Sequence, residues 1–272
     1  EQDATTDAPS RAVELNVSKD GALSHNEYVI SAMNSAVKNI CSKCTYPIFY
    51  SDYKNKPDLV ATAVAVRIGD VVYLITAAHA IKNSSNKVDS FFIGTNRGIV
   101  RIEGRYIVTE ANPSDGIDLY DMALVSLSDD FVSKHDLSFI SKESTCPWEF
   151  LEDDFFVFVF GFPSSRNKQA KSLKGNEFST FQYSYAGKVR TDHKIFLQNN
   201  LSDTIHTCMT FGKNPLANKP IYPKGCSGGG IWIIDRNGRV YLDSIFIEYY
   251  AKAQVAFGTK IIHVFKMLSQ SC

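Results

Sequence analysis

Apolar residues recur along this chain with two periods, and the switch between them divides it. Val29, Ala32, Met33, Ala36, Val37 and Ile40 fall at i, i+3, i+4, i+7, i+8 and i+11. That spacing predicts a helix with one apolar face, which either docks on the body of the protein or receives a partner. Ser24 and Glu27 frame its start as a capping box. The polar residues before it, 1 to 22, predict loose order. From Tyr46 the period becomes that of strands. Residues 46–50, 60–67, 71–76, 90–93, 99–102, 105–109 and 122–127 are short β-prone runs, with Gly69-Asp70 as a hairpin turn. Strands at this frequency predict a closed antiparallel barrel. A polar stretch, 128–149, marks the crossing to a second barrel. Its strands are read at 155–160, 178–189, 194–198, 206–211, 230–234 and 241–248, and a C-terminal helix at 260–268. The organisation is thus an N-terminal extension (1–45), a first barrel (46–150) and a second barrel ending in the helix (151–272).

Composition narrows the function classes. Lys+Arg 29 balances Asp+Glu 29, which gives no reason to expect nucleic acid or an anionic membrane surface as partner. No apolar run approaches the roughly 20 residues that span a bilayer. The first residues lack a basic and an apolar signal region, so the chain reads as a processed product or a part of something longer. Cysteines at 41, 44, 146, 208, 226 and 272 permit up to three disulfides and demand none, and a cytoplasmic setting is expected over a secreted or periplasmic one. Cys41-Ser-Lys-Cys44 has the spacing of half a zinc site or a redox pair, but no second pair completes it. No metal and no cofactor is expected.

Candidate chemistry gathers at Gly225-Cys226-Ser227-Gly228-Gly229-Gly230, followed at once by the apolar run Ile231-Trp232-Ile233-Ile234. A serine in such a loop exposes its hydroxyl while the glycines let backbone N–H groups converge on a developing negative oxygen. A plain glycine-rich turn is the alternative, since a hydroxyl is a poor nucleophile without a base. The chain supplies one. His79 ends the β-rich run 71–78, and Asp121 stands at the mouth of the apolar run Met122-Ala123-Leu124-Val125. Asp118 competes for the acid's place. Cys226 competes for the nucleophile's, although alternating geometry turns it away from Ser227. His25, His135, His193, His206 and His263 lack the context of His79.

These three stretches resemble the trypsin-like (chymotrypsin-fold) serine proteases, most closely the bacterial trypsin-like peptidase domains, over residues 45 to 265. Thr76-Ala-Ala-His79 is similar to that family's histidine motif, Asp121-Met-Ala-Leu124 to its aspartate motif and Gly225-Cys-Ser-Gly-Gly229 to its serine motif, in the family's order. The resemblance implies an all-β fold of two antiparallel six-stranded β-barrels, with the amphipathic N-terminal helix and the C-terminal helix added here. It implies a serine endopeptidase acting on a protein or peptide substrate, with His79 as general base, Asp121 as its orienter and Ser227 as nucleophile. The N–H groups of Gly225 and Ser227 would form the oxyanion hole. Ile221, Ile247 and Glu248 would line the substrate pocket, Ile221 hinting at an apolar side chain and Glu248 at a basic one. Cys226 replaces the aspartate that pairs with a freed N-terminus in animal enzymes, so activation is expected to work otherwise. The alternative from another class is a catalytically weak binding or regulatory module of the same fold, with a partner or fused domain. An α/β-hydrolase fits worse, because its acid and histidine follow the serine and only His263 does so here.

Overall fold

The computed structural model describes residues 25–51, 57–82, 91–145, 155–167, 180–212 and 222–270. Ser24, the first twenty-two residues, Ser90, Cys146, Phe178, Ile221 and Cys272 lie outside them. The chain is mostly β, at 45% strand against 22% helix, so strand pairing rather than helix packing determines where its chemistry stands. There are two antiparallel sheets, one of them a half-barrel.

Eight strands build the first sheet: β1 (Thr45–Ser51), β2 (Pro57–Ile68), β3 (Val71–Ala77), β4 (Phe91–Thr95), β5 (Gly98–Arg101), β6 (Arg105–Val108), β7 (Met122–Leu127) and β8 (Ile140–Ser141). Their order is β5-β4-β1-β2-β3-β7-β6, with β8 pairing β2 in parallel. The second sheet holds β9 (Phe155–Gly161), β10 (Tyr183–Gly187), β11 (Val189–Arg190), β12 (His206–Thr210), β13 (Gly230–Asp235), β14 (Val240–Tyr250) and β15 (Val255–Lys260). Its order is β10-β9-β13-β14-β15-β12-β11.

One apolar core joins the sheets. Val64, Val66, Ile75 and Met122 from the first meet Phe158, Phe160, Trp232 and Ile245 from the second. The predicted N-terminal helix forms over His25–Ala36 and buries Ala32, Met33 and Ala36 in the same core. It then loosens into a π turn, Val37–Cys41, and a short helical piece, Ser42–Cys44, so both cysteines face inward. Their thiols are free and buried; burial raises both pKa values, with Cys44 adding to the effect on Cys41. Among the described residues no three metal-capable side chains cluster, and no helix is long and apolar enough to cross a membrane.

Four sequence expectations change. Residues 194–198, expected as a strand, belong to a helix, His193–Leu197. Asp192 caps it, its carboxylate accepting from the Lys194 N–H at 3.0 Å, while Ile195 and Phe196 turn into the core. The missing strand is β15, a run the sequence reading left between β14 and the C-terminal helix. That helix starts at Ile262, because Lys260 still belongs to β15. The polar stretch after β7 also holds a helix, Asp129–Lys134, which Ser128 caps by accepting from the Phe131 N–H.

Because the core is common to both sheets, damage to it is expected to lower the stability of the whole. Phe158→Ala empties a fully buried site and should cost about 3–5 kcal/mol. Urea unfolding followed by tryptophan fluorescence and by circular dichroism checks this: both probes are expected to shift together in one transition.

Candidate functional site

The loop that bears Ser227 is built against the other sheet. The register of β2 with β3 reaches no further than Val64↔Ile75, so the backbone of Thr62 is free on that side. The Ser227 carbonyl takes up that freedom by accepting the Thr62 N–H at 2.9 Å. Thr62 Oγ1 donates to the Gly225 carbonyl at 2.8 Å and accepts the Phe162 N–H at 3.0 Å. Its own carbonyl accepts from Thr76 Oγ1 at 2.7 Å. Thr62 is fully buried, and every polar group on it finds a partner, as burial demands.

These bonds decide where the loop's N–H groups point. In a trans peptide the C=O and the N–H lie on opposite sides. The Lys224 carbonyl is held by Ser164, through its N–H at 2.7 Å and its hydroxyl at 3.0 Å, which turns the Gly225 N–H the other way. The Cys226 carbonyl accepts the Gly229 N–H at 2.7 Å, which does the same for the N–H of Ser227. The N–H groups of Cys226 and Gly228 are used internally, on Pro223 and Phe246. Among the described residues those of Gly225 and Ser227 have no partner, so two alternate donors remain open. Gly225 must be glycine. Its φ is 92°, and a Cβ there would lie 2.6 Å from Ser164 N and 2.9 Å from Phe162 O.

His79 sits in the helical turn Ala78–Lys82 at the end of β3. Asp121 lies just ahead of β7, the neighbour of β3. One carboxylate oxygen of Asp121 accepts the His79 backbone N–H at 2.7 Å and the other accepts Nδ1–H at 2.5 Å. A carboxylate can only accept, so in the neutral imidazole the proton sits on Nδ1 and Nε2 keeps a lone pair. The bond to Asp121 raises the His79 pKa against the opposing effect of burial; the charges of Asp121 and Glu248 add to the rise. Asp121 has φ 46°, a left-handed backbone that is uncommon for a non-glycine and costs about 1–3 kcal/mol.

Asp118 is engaged elsewhere. It accepts Lys82 Nζ at 2.8 Å, Thr109 Oγ1 at 2.9 Å and the Asp121 N–H at 3.0 Å. Partial burial would raise its pKa, but these partners hold it below the ordinary carboxylate value. It braces the corner while Asp121 meets the histidine.

His79, Asp121 and Ser227 line one open cleft of about 460 Å³, together with Tyr222, Lys224, Glu248 and Tyr249. Ser227 Oγ has no hydrogen-bond partner among the described residues, a looseness common in unliganded sites. Cys226 is buried in the second sheet's core and burial pushes its thiol pKa up, so it is a poor nucleophile. A bulge in β14 between Phe246 and Glu248 sends the Ile247 side chain inward among Ala77, Phe196 and Phe257. Glu248 is exposed at the cleft, its carboxylate accepting from the Tyr250 hydroxyl at 2.9 Å. Ile221 lies outside the described residues. The sequence reading missed Thr62 and Ser164. Thr62 left one signal, a lone hydroxyl inside the apolar run Val60-Ala61-Thr62-Ala63-Val64; Ser164 left none.

The arrangement is chemically specific: Ser227 and the His79–Asp121 pair line one cleft, and the loop that bears Ser227 leaves two N–H donors open. Such a set suits acyl transfer, in which a carbonyl oxygen becomes negative as the hydroxyl attacks. The chain matches no model of a known protein family and no curated protein sequence.

Three outcomes follow from this geometry. Gly225→Ala is expected to displace the 224–225 peptide and cut any acyl-transfer rate by about 10²–10³-fold, seen as slower reaction of Ser227 with an activated ester. Asp121→Asn is expected to return the His79 titration, followed by NMR, toward the ordinary histidine value. The sign for stability follows from the raised folded-state pKa. The dyad's contribution is complete below the unfolded histidine pKa and is lost as pH rises through the raised value. Denaturant midpoints from pH 5 to 9 are expected to show that loss in the wild type and little of it in Asp121→Asn.

Proposed function

We propose that the chain is a trypsin-like serine endopeptidase, which cleaves peptide bonds through an acyl-enzyme on Ser227. The observation that carries this reading is the pair of unbonded N–H groups, at Gly225 and Ser227, in the loop whose serine lines the same cleft as the His79–Asp121 pair. Ser227 Oγ attacks the scissile carbonyl as His79 Nε2 takes its proton. The oxygen of the tetrahedral intermediate rests on the two N–H groups, and Asp121 stabilises the imidazolium. The intermediate expels the amine, which takes the proton from Nε2. Water, deprotonated by the same nitrogen, then releases the acid and restores Ser227.

The pairing pattern supports the matching fold, two closed six-stranded barrels. β5 and β6 stand at opposite ends of the first sheet's path, yet only 102–104 separate them in sequence. Read as one kinked strand, they pair β4 with the first half and β7 with the second, and the path returns on itself. β10 and β11 do the same in the second sheet, with only Lys188 between them. Both kinks carry a glycine on which a Cβ would fall 2.2 Å from a facing carbonyl: Gly104 against Ser126 and Gly187 against Thr210. Glycine at a corner is how a closed barrel bends. Traced this way, both halves share one order: the first strand lies between second and fourth, the third beside the sixth, and the fifth between fourth and sixth. His79 and Asp121 come from the first half and Ser227 from the second.

Within the cleft, exposed Glu248 favours a basic side chain on the substrate, and Ile247 contributes through its backbone rather than its buried side chain. The competing reading, a binding module with little turnover, draws on the absence of a hydrogen bond between His79 and Ser227. Reaction with a fluorophosphonate separates the two. Covalent labelling of the wild type, abolished in Ser227→Ala and slowed by on the order of 10³-fold or more in His79→Ala, is the expected result. A wild type that stays unlabelled across pH 6 to 9 would leave the binding module standing.

A further inference from the structure

The corner that presents Asp121 is held from the opposite sheet. His206, on β12, is buried at 1% exposure. Its Nε2–H donates to the Leu119 carbonyl at 2.8 Å, and its Nδ1 rests on the backbone of Ser202, 2.9 Å from the carbonyl and 3.1 Å from the N–H. A carbonyl can only accept, so the ring proton on that side is fixed at Nε2. Burial holds the His206 pKa below the ordinary value, against the bonds to Ser202 and Leu119, which raise it. Three strands later in sequence but adjacent in the sheet, Thr259 on β15 is fully buried and donates its hydroxyl to the Tyr120 carbonyl at 2.6 Å.

Leu119 and Tyr120 are the two residues ahead of Asp121. The peptide joining Tyr120 to Asp121 is therefore pinned at both ends, its carbonyl by Thr259 and its N–H by Asp118. A left-handed φ of 46° at Asp121 survives only where its surroundings over-determine it. Removing the outer anchors lets the corner relax toward an ordinary backbone and swings the carboxylate off Nδ1.

We propose that His206 and Thr259 are positioning residues that hold the Asp121 carboxylate on His79 from across the seam; this rests on reading His79, Asp121 and Ser227 as one catalytic set. Neither residue touches substrate; both act through Asp121. The seam is thus bonded in both directions. The first sheet steadies the serine loop through Thr62, and the second steadies the aspartate corner through His206 and Thr259.

The test uses Thr259→Val, which keeps the shape and removes the donor, together with His206→Leu and the conservative His206→Gln. For each folded variant, NMR follows the titration of His79, and fluorophosphonate reports the reactivity of Ser227. Thr259→Val and His206→Leu are expected to move the His79 midpoint down toward that of a free histidine. They are expected to slow labelling on the order of 10²-fold, the usual cost of a small misplacement. His206→Gln, which keeps an N–H donor for Leu119, is expected to recover much of both. Folded Thr259→Val with an unchanged His79 midpoint and an unchanged labelling rate would overturn the proposal. The NMR arm reads the clamp directly, so a wild type inert to fluorophosphonate whose His79 midpoint still falls in Thr259→Val supports the clamp while removing the peptidase reading.

Discussion

A single buried threonine carries much of this design. Thr62 belongs to the first sheet, yet three of its four hydrogen bonds go to the second-sheet segments that surround Ser227. A fully buried hydroxyl and peptide group without partners would cost roughly 1–3 kcal/mol each. The two halves therefore have a strong reason to meet in one register. Any displacement along the seam that parted Thr62 from Gly225, Ser227 and Phe162 would leave donors and acceptors of both halves stranded in an apolar core. The loop's conformation and the docking of the sheets are in this sense one constraint.

The chemistry follows from that constraint rather than from any residue alone. The loop has more N–H groups than an oxyanion needs, and internal bonds use up the ones that would point elsewhere. Ser164 and the Gly229 N–H each take hold of a carbonyl, and each thereby aims the N–H on the far side of its peptide. The donors are oriented in the free protein, which is the condition under which electrostatic stabilisation, as the proposed acyl transfer requires, is worth most. On the other side of the cleft, the unusual backbone of Asp121 lets one carboxylate take both the main chain and the ring of His79. The strain at that corner is offset by Asp118 beneath it and by bonds from the opposite sheet.

Much of this was legible in the sequence because it depends on local pattern. The helical spacing that begins at Val29, the turn residues Gly69-Asp70 and the apolar run after Asp121 each mark an element by local pattern alone. So do the glycines around Ser227, which only a tight loop tolerates. The errors also have a physical cause. Residues 194–198 have a strand-like composition, but Asp192 caps them into a helix, and capping is a property of one side chain rather than of a period. β15 contains Gly258, which weakens its pattern even though it pairs along its length with β14 and β12. Thr62, Ser164, His206 and Thr259 act on segments distant in sequence, and no window along the chain contains both partners.

The most direct measurement is a crystal structure of the protein after reaction with a peptide boronate. The account predicts a tetrahedral boron on Ser227 Oγ, with one of its oxygens about 2.7–3.1 Å from both the Gly225 and the Ser227 nitrogen. His79 Nε2 is expected to face another of its oxygens or Ser227 Oγ. A boronate absent from Ser227, or one whose oxygens all face solvent while both N–H groups stay empty, would contradict it.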